Sequence, residues 1–216
     1  MILSDPKTHD EWIAERRKGI GASEAAAVLG LNPWQSNVDL WRIKTGKKLP
    51  EDISEKECIR YGKQAEQHIR ELFRLDFPQY SVDYHEFRMY ADDENPFIFA
   101  TLDGELTDRT NGTRGILEIK TTEILSSSQW TKWDGCIPQN YYVQVLHQLI
   151  ATGFDFAVLT AQIKYSGHGD VCKTTRHYTI RKNDVLNELN YIITKEREFW
   201  ECVLNDTEPA LILPQI

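Results

Sequence analysis

Between Phe97 and Thr122 the chain reads FIFATLDGELTDRTNGTRGILEIKTT, a stretch holding Asp103, Glu118 and Lys120. Two runs of strand-forming residues flank Asn111-Gly112, the strongest short-range hairpin signal a sequence can carry. Side chains on a strand alternate faces, so parity decides which residues meet. A two-residue turn at Asn111-Gly112 puts Asp103 opposite Lys120, with Glu118 a diagonal neighbour on the same face. Ile119 points to the other face but leaves its backbone carbonyl as a further oxygen ligand. Two carboxylates and a carbonyl suit a hard, oxygen-seeking cation such as magnesium or manganese. A lysine beside them can steer an attacking water or offset charge developing on a phosphate. The competing reading of Glu-x-Lys is a solvated strand face with a cross-strand ion pair, and the spacing alone leaves both open.

These residues need elements to hold them. His9 to Arg17 (HDEWIAERR) predicts a short helix with Trp12 on its inner side. It runs into Gly19 and Gly21, which permit a tight turn, and then a small-residue helix from Glu24 to Leu29. Ser23 stands where an N-cap would, and backbone N–H groups at such a start, with arginines nearby, can bind a phosphate. An ordinary capped helix with surface arginines is the alternative. Ser36 caps a helix from Asn37 to Thr45, closed by Gly46.

Ser54 to Phe77 is the longest helical stretch. Ile59, Ile69 and Phe73 form one stripe beside Gly62 and Ala65, and Glu66 lies in line with it. A carboxylate among core positions is costly unless it is paired or metal-bound. Lys63 and Arg70 are both within helical reach of it. Tyr80 to Tyr90 alternates as a strand and leads into the hairpin. Ser126–Ser128 then starts a short helical segment bearing Trp130 and Trp133. Pro138 opens and Gly153 closes a helix, the usual asymmetry of such ends. Gln144 and Gln148 share one face of it, free either to hydrogen-bond a phosphate or carboxylate or to form the wet side. Strands from Phe156 to Lys164 and Thr174 to Arg181 follow, and Asn183 or Asp184 caps a final helix to Leu204.

The chain of 216 residues has 41% hydrophobic residues, enough for one domain, 1–216, with a real core. No apolar run is long enough to span a membrane and no signal-peptide pattern is seen, so a cytoplasmic protein is expected. Cys58, Cys136, Cys172 and Cys202 lack metal-ligand spacing and read as reduced thiols. A formal charge of −8 argues against a protein that coats nucleic acid, but not against an enzyme with a local basic groove.

The order of these pieces resembles the PD-(D/E)xK nuclease superfamily: an α/β (α+β) chain with a central mixed sheet flanked by helices in a restriction-endonuclease-like core. The blocks GIGASE, YGKQAE, TLDG, LEIKTT and YYVQVLHQ, in that order, look like the phage lambda exonuclease and viral recombinase family. They span Trp12 to about Gln148. The resemblance implies a metal-dependent deoxyribonuclease, a 5′→3′ exonuclease acting on double-stranded DNA ends in phage-type recombination. It implies Mg²⁺, which Mn²⁺ can replace, at Asp103, Glu118, Glu66 and the carbonyl of Ile119. Lys120 matches the catalytic lysine, positioning and deprotonating the water with help from Glu66. Arg16 and Ser23 match residues that hold a 5′-terminal phosphate, Gln144 matches a glutamine near it, and Thr101 stands where the family has serine. Arg17 is the fallback for Arg16, and one of Asp92, Asp93 and Glu94 matches a further acidic position. The motif's proline is replaced by Leu102. A ring-shaped homotrimer and a single-strand annealing partner are also implied. An endonuclease or nickase of the same superfamily, or an inactive DNA-binding accessory protein, are the alternatives.

Overall fold

The computed structural model describes residues 2–167 and 170–213. Among the described residues nine strands form two mixed sheets flanked by helices, where the sequence led to the expectation of one central mixed sheet. The first is built from β1 (Ile2–Ser4), β2 (Ile20–Gly21), β4 (Met89–Ala91) and β5 (Ile98–Ala100), in the order β1-β4-β5-β2. The second runs β3-β6-β7-β8-β9, from β3 (Tyr80–Asp83), β6 (Gly104–Asp108), β7 (Arg114–Ile124), β8 (Phe156–Gly167) and β9 (Asp170–Arg181). The stretch Tyr80 to Tyr90 is therefore not one strand. It is interrupted after Asp83 and contributes to both sheets.

The hairpin β6–β7 forms, but its register differs from the expected one by two residues. Gly104 pairs with Leu117 and Thr107 with Arg114. The loop is wider than a two-residue turn: Asp108 N–H donates to the Thr113 carbonyl, leaving residues 109–112 as its tip. Asn111 accepts from both the N–H and the hydroxyl of Thr113, which stabilises the wider loop, and Gly112 takes a φ of +75°. A slip of two preserves parity, so the face assignments stand while the partners change. Asp103, one residue before Gly104, comes across from Glu118 instead of Lys120.

The helices are α1 (His9–Arg16), α2 (Ala25–Val28), α3 (Asn37–Lys44), α4 (Glu57–Asp76), α5 (Ser127–Trp130), α6 (Gln139–Thr152) and α7 (Leu186–Leu204). None of the described helices is long and apolar enough to cross a membrane. Thr8 caps α1 and Ser36 caps α3, each accepting an N–H three residues on. Ser23 caps nothing; Gly21 occupies the N-cap of a 3-10 turn, Ala22–Glu24, that leads into α2. Lys182–Asp184 likewise form a 3-10 turn, with Val185 at the start of α7. Gly153 ends α6 with a φ of +70°, a left-handed conformation that glycine adopts without strain.

Helix α4 lays Ile69 and Phe73 against Leu117, Ile119 and Val158 on one face of the second sheet. Burying each of these side chains contributes roughly 1.5–3 kcal/mol. Helix α6 connects β7 to its parallel neighbour β8 and packs Leu146, Leu149 and Ile150 against residues of both sheets. The sheets thus share one core, and the chain passes between them at Thr101–Asp103, the link from β5 to β6.

Candidate active site

Asp103 lies in that link. Its Oδ2 accepts the Ile119 N–H at 2.7 Å, tying the passage between the sheets to the middle of β7. On β7, Glu118 and Lys120 point to the face opposite Leu117 and Ile119, toward α6, as parity requires. Glu118 is only 2% exposed. Three donors hold it: Gln144 Nε2 at 2.6 Å and Lys120 Nζ at 2.6 Å on Oε1, and Gln148 Nε2 at 2.5 Å on Oε2. The glutamine pair of α6 is therefore not a wet side. Gln148, 1% exposed, is a site residue that helical spacing left unassigned. Its shared face with Gln144 was the one available signal, because nothing local reveals that Glu118 is buried and needs donors.

Glu66 reaches the same region from α4. Its Oε1 pairs with Arg70 Nη2, so of the two helical partners open to it, Arg70 is the one engaged. Arg70 is 5% exposed; its Nε donates to the Asp103 carbonyl at 2.6 Å and its guanidinium carbon lies 3.6 Å from the centre of the Tyr84 ring.

Burial, and then the charges of Glu118 and Glu66, lift the Asp103 carboxyl well above the usual range. Burial is also the main cause raising Glu66, with Glu118 adding to it against the pull of Arg70. Burial works against the Lys120 ammonium, but Glu118 and Asp103 outweigh it and its pKa is raised. Such mutually perturbed groups cluster at functional sites.

Among the described residues no three His, Cys, Asp or Glu side chains stand close enough to cage an ion as they lie. Each carboxylate is instead engaged by protein donors: Asp103 by Ile119 N–H, Glu118 by its glutamines and lysine, Glu66 by Arg70. The donor chemistry nevertheless fits a hard divalent cation, since the groups are oxygens and their mutual repulsion adds to burial in raising Asp103 and Glu66.

A cleft of about 590 Å³ opens beside these groups, lined among others by Arg16, Ser23, Glu66, Thr101, Asp103 and Gln144. Arg16 donates to Ser23 Oγ at 3.3 Å and stacks over Trp12 at 4.7 Å. Trp12 in turn donates its indole N–H to Thr101 Oγ1 at 3.0 Å. Arg16, Ser23 and Thr101 are thus brought together on one wall. Gln144 lines the same cleft but directs its amide to Glu118. Arg17 is exposed at the end of α1, and none of Asp92, Asp93 and Glu94 lines the cleft. Gly21 keeps the wall tight: a Cβ there would stand 3.0 Å from the Arg16 guanidinium and 3.3 Å from the Phe99 ring.

Residues 11–155 match the model of the YqaJ-like viral recombinase domain. The chain is 33% identical over 212 residues to the YqaJ protein of Bacillus subtilis (strain 168), covering 98% of itself and 61% of that protein's length. Among solved structures it resembles an alkaline exonuclease from Laribacter hongkongensis, with a TM-score of 0.65 at 18% identity over 91% of this chain and 93% of that one. A phage-related exonuclease from Haemophilus somnus 129PT gives a TM-score of 0.52 at 9% identity, over 87% of this chain and 96% of that one.

Proposed function

The chain belongs to the YqaJ-like viral recombinase family, and from that premise we propose that it is a metal-dependent deoxyribonuclease degrading duplex DNA from its ends in the 5′→3′ direction. The observation that carries this reading is the meeting of Asp103 and Lys120, both half-buried, with the buried Glu118, behind a cleft whose wall presents Arg16, Ser23 and Thr101. The likeness in fold to structures described as an alkaline exonuclease and a phage-related exonuclease supports it.

Asp103, Glu118, Glu66 and the Ile119 carbonyl would hold Mg²⁺ or Mn²⁺. When bound, such an ion polarises the scissile phosphate and lowers the pKa of a coordinated water. Lys120 carries its proton in the present arrangement, since Glu118 and Asp103 favour the ammonium. It is therefore suited to orienting the water and offsetting charge on the phosphate, more than to removing a proton. Gln144 and Gln148 fix the Glu118 carboxylate, so that it meets its ligand in one orientation. Arg16, with the hydroxyls of Ser23 and Thr101, forms the seat for a terminal 5′-phosphate, and so sets the cut by distance from the end. By the same resemblance the active form is a ring-shaped homotrimer working with an annealing protein; light scattering at micromolar concentration reads the first.

The experiment is incubation of linear and closed circular duplex with and without Mg²⁺. Loss of the linear form alone, and only with the metal, is expected. Loss of both forms marks an endonuclease, and loss of neither marks a binding protein.

A further inference from the structure

Just beyond the Lys120–Ala161 rung of β7 and β8, α4 lays Tyr61 across the second sheet. Gly62 allows the approach: a Cβ there would stand 3.2 Å from Thr121 Oγ1, the residue after Lys120. The Tyr61 hydroxyl donates to Gln162 Oε1 at 2.5 Å, anchoring the ring on β8. Two ammonium groups share that ring, Lys164 Nζ at 3.5 Å from its centre and Lys173 Nζ at 5.5 Å. The β8–β9 register sets Lys164 and Lys173 directly opposite one another.

Like charges directly opposite on paired strands are destabilising. Here no carboxylate relieves them. Among the described residues neither lysine makes an ion pair, and Glu123, which the β7–β8 register sets beside Lys164, does not pair with it. A chain with a formal charge of −8 has carboxylates to spare, yet this spot has none engaged. Lys63, on the same helix α4, lines the catalytic cleft itself.

We infer that Lys164 and Lys173, mounted on Tyr61, form a docking surface for the phosphate backbone of the DNA strand where it continues past the catalytic cleft. The inference rests on the nuclease reading and deepens it. Arg16 and Ser23 seat the end of the substrate, and the lysine pair grips the backbone farther along. The contact is to phosphates, so it carries no sequence preference. Tyr61 contributes by holding two mutually repelling ammonium groups in place through its ring face.

The test is binding of a short fluorescein-labelled duplex, by anisotropy, over a series of salt concentrations. Each phosphate contact contributes about 0.9 to the slope of log affinity against log salt, so Lys164→Gln/Lys173→Gln is expected to flatten it by about 1.8. Its thermal midpoint should not fall, because a repulsion has been removed, and turnover at saturating DNA should hold. Lys164→Arg/Lys173→Arg should restore the wild-type slope. If the double variant does not fold, Lys173→Gln alone should lower the slope by about half as much. An unchanged slope in a protein whose wild type still cleaves overturns the docking surface and leaves the nuclease reading intact. A wild type that neither binds nor cleaves duplex overturns both.

Discussion

Arg70 and Asp103 are joined by a 2.6 Å hydrogen bond from the guanidinium Nε to the backbone carbonyl, across 33 residues of sequence. The same guanidinium pairs with Glu66. One side chain thus fixes the long helix to the link between the sheets, and with it the relative placement of two carboxylates. Arg70→Lys keeps the charge but not the fork, and cannot serve both partners at once. It is expected to cost about 1–3 kcal/mol of stability, from a buried carbonyl left short of its donor, with a loss of cleavage to match the displaced carboxylates. Chemical denaturation and a single-turnover assay on the same preparation check both.

Asp103→Ala, Glu118→Ala and Lys120→Ala are each expected to abolish cleavage while leaving a folded chain. Loss of one preorganised charge at such a site is worth about 3 kcal/mol or more in barrier height. Any purified, folded variant that cleaves within about tenfold of wild type removes its residue from the chemistry; that threshold is about 1.4 kcal/mol.

Stability should depend on pH and on divalent metal together. Asp103 and Glu66 have folded-state pKa values above their unfolded ones, so between the two values the folded chain holds more protons than the unfolded chain. Their contribution is therefore present at low pH and lost as pH rises through the raised values. His147 acts in the same direction at higher pH: burial opposes its charge, but Glu196 outweighs burial and raises its pKa above the usual 6.5. Carboxylates held below their usual range, Glu105 among them, act the other way, so the part due to Asp103 and Glu66 is read by difference. In EDTA the thermal midpoint of the wild type relative to Asp103→Asn/Glu66→Gln should fall as pH is raised through the raised values. Millimolar Mn²⁺ should raise the midpoint near neutral pH, where it relieves the repulsion, and flatten the carboxylate part of the slope. Identical melts with EDTA and Mn²⁺ would exclude metal binding at these groups.

The wall formed by Arg16, Ser23 and Thr101 predicts a preference for 5′-phosphorylated over 5′-hydroxyl ends. Arg16→Ala should erase most of it, since one charge-assisted contact is worth roughly 1.5–3 kcal/mol, or about ten- to a hundredfold in rate. Rates on two linear duplexes differing only in that phosphate give the answer. Equal rates with the wild type would remove the pocket.

What the sequence made legible followed from local periodicity and end signals. The helices carrying Ile69 and Phe73, and Leu146 and Leu149, are readable because apolar spacing and end residues such as Pro138 and Gly153 act within a few residues. Parity on β7 places Glu118 and Lys120 together whichever turn forms, because the wider loop favoured by the Asn111 side chain shifts the register by a period-preserving two residues. The break after Asp83 and the division into two sheets were not readable, since Tyr80–Tyr90 alternates well enough to look continuous. Arg70 could be seen as a partner for Glu66 on its own helix, but not as a donor to Asp103. Gln148 failed for the same reason: its partner lies on another element, and burial of Glu118 is a tertiary fact.

The buried pair between His147 and Glu196 bears on where a working fragment can end. His147 Nε2 contacts the Phe99 carbonyl at 2.9 Å and Nδ1 contacts Glu196 Oε1 at 2.6 Å, with both side chains fully enclosed. A carbonyl can only accept, so Nε2 carries a proton, and the Nδ1–Glu196 contact holds one more between the two groups. Glu196 lies on α7, beyond the stretch 11–155 matched by the family model, yet it braces the helix that presents Gln144 and Gln148 to Glu118. The parallel partner of β7 from Gly115 to Ile124 lies beyond that boundary too. The limits of the recognisable motif set are thus not the limits of a cooperative folding unit. A protein trimmed to the matched stretch would keep every acidic residue of the candidate site and lose the scaffold that aligns them.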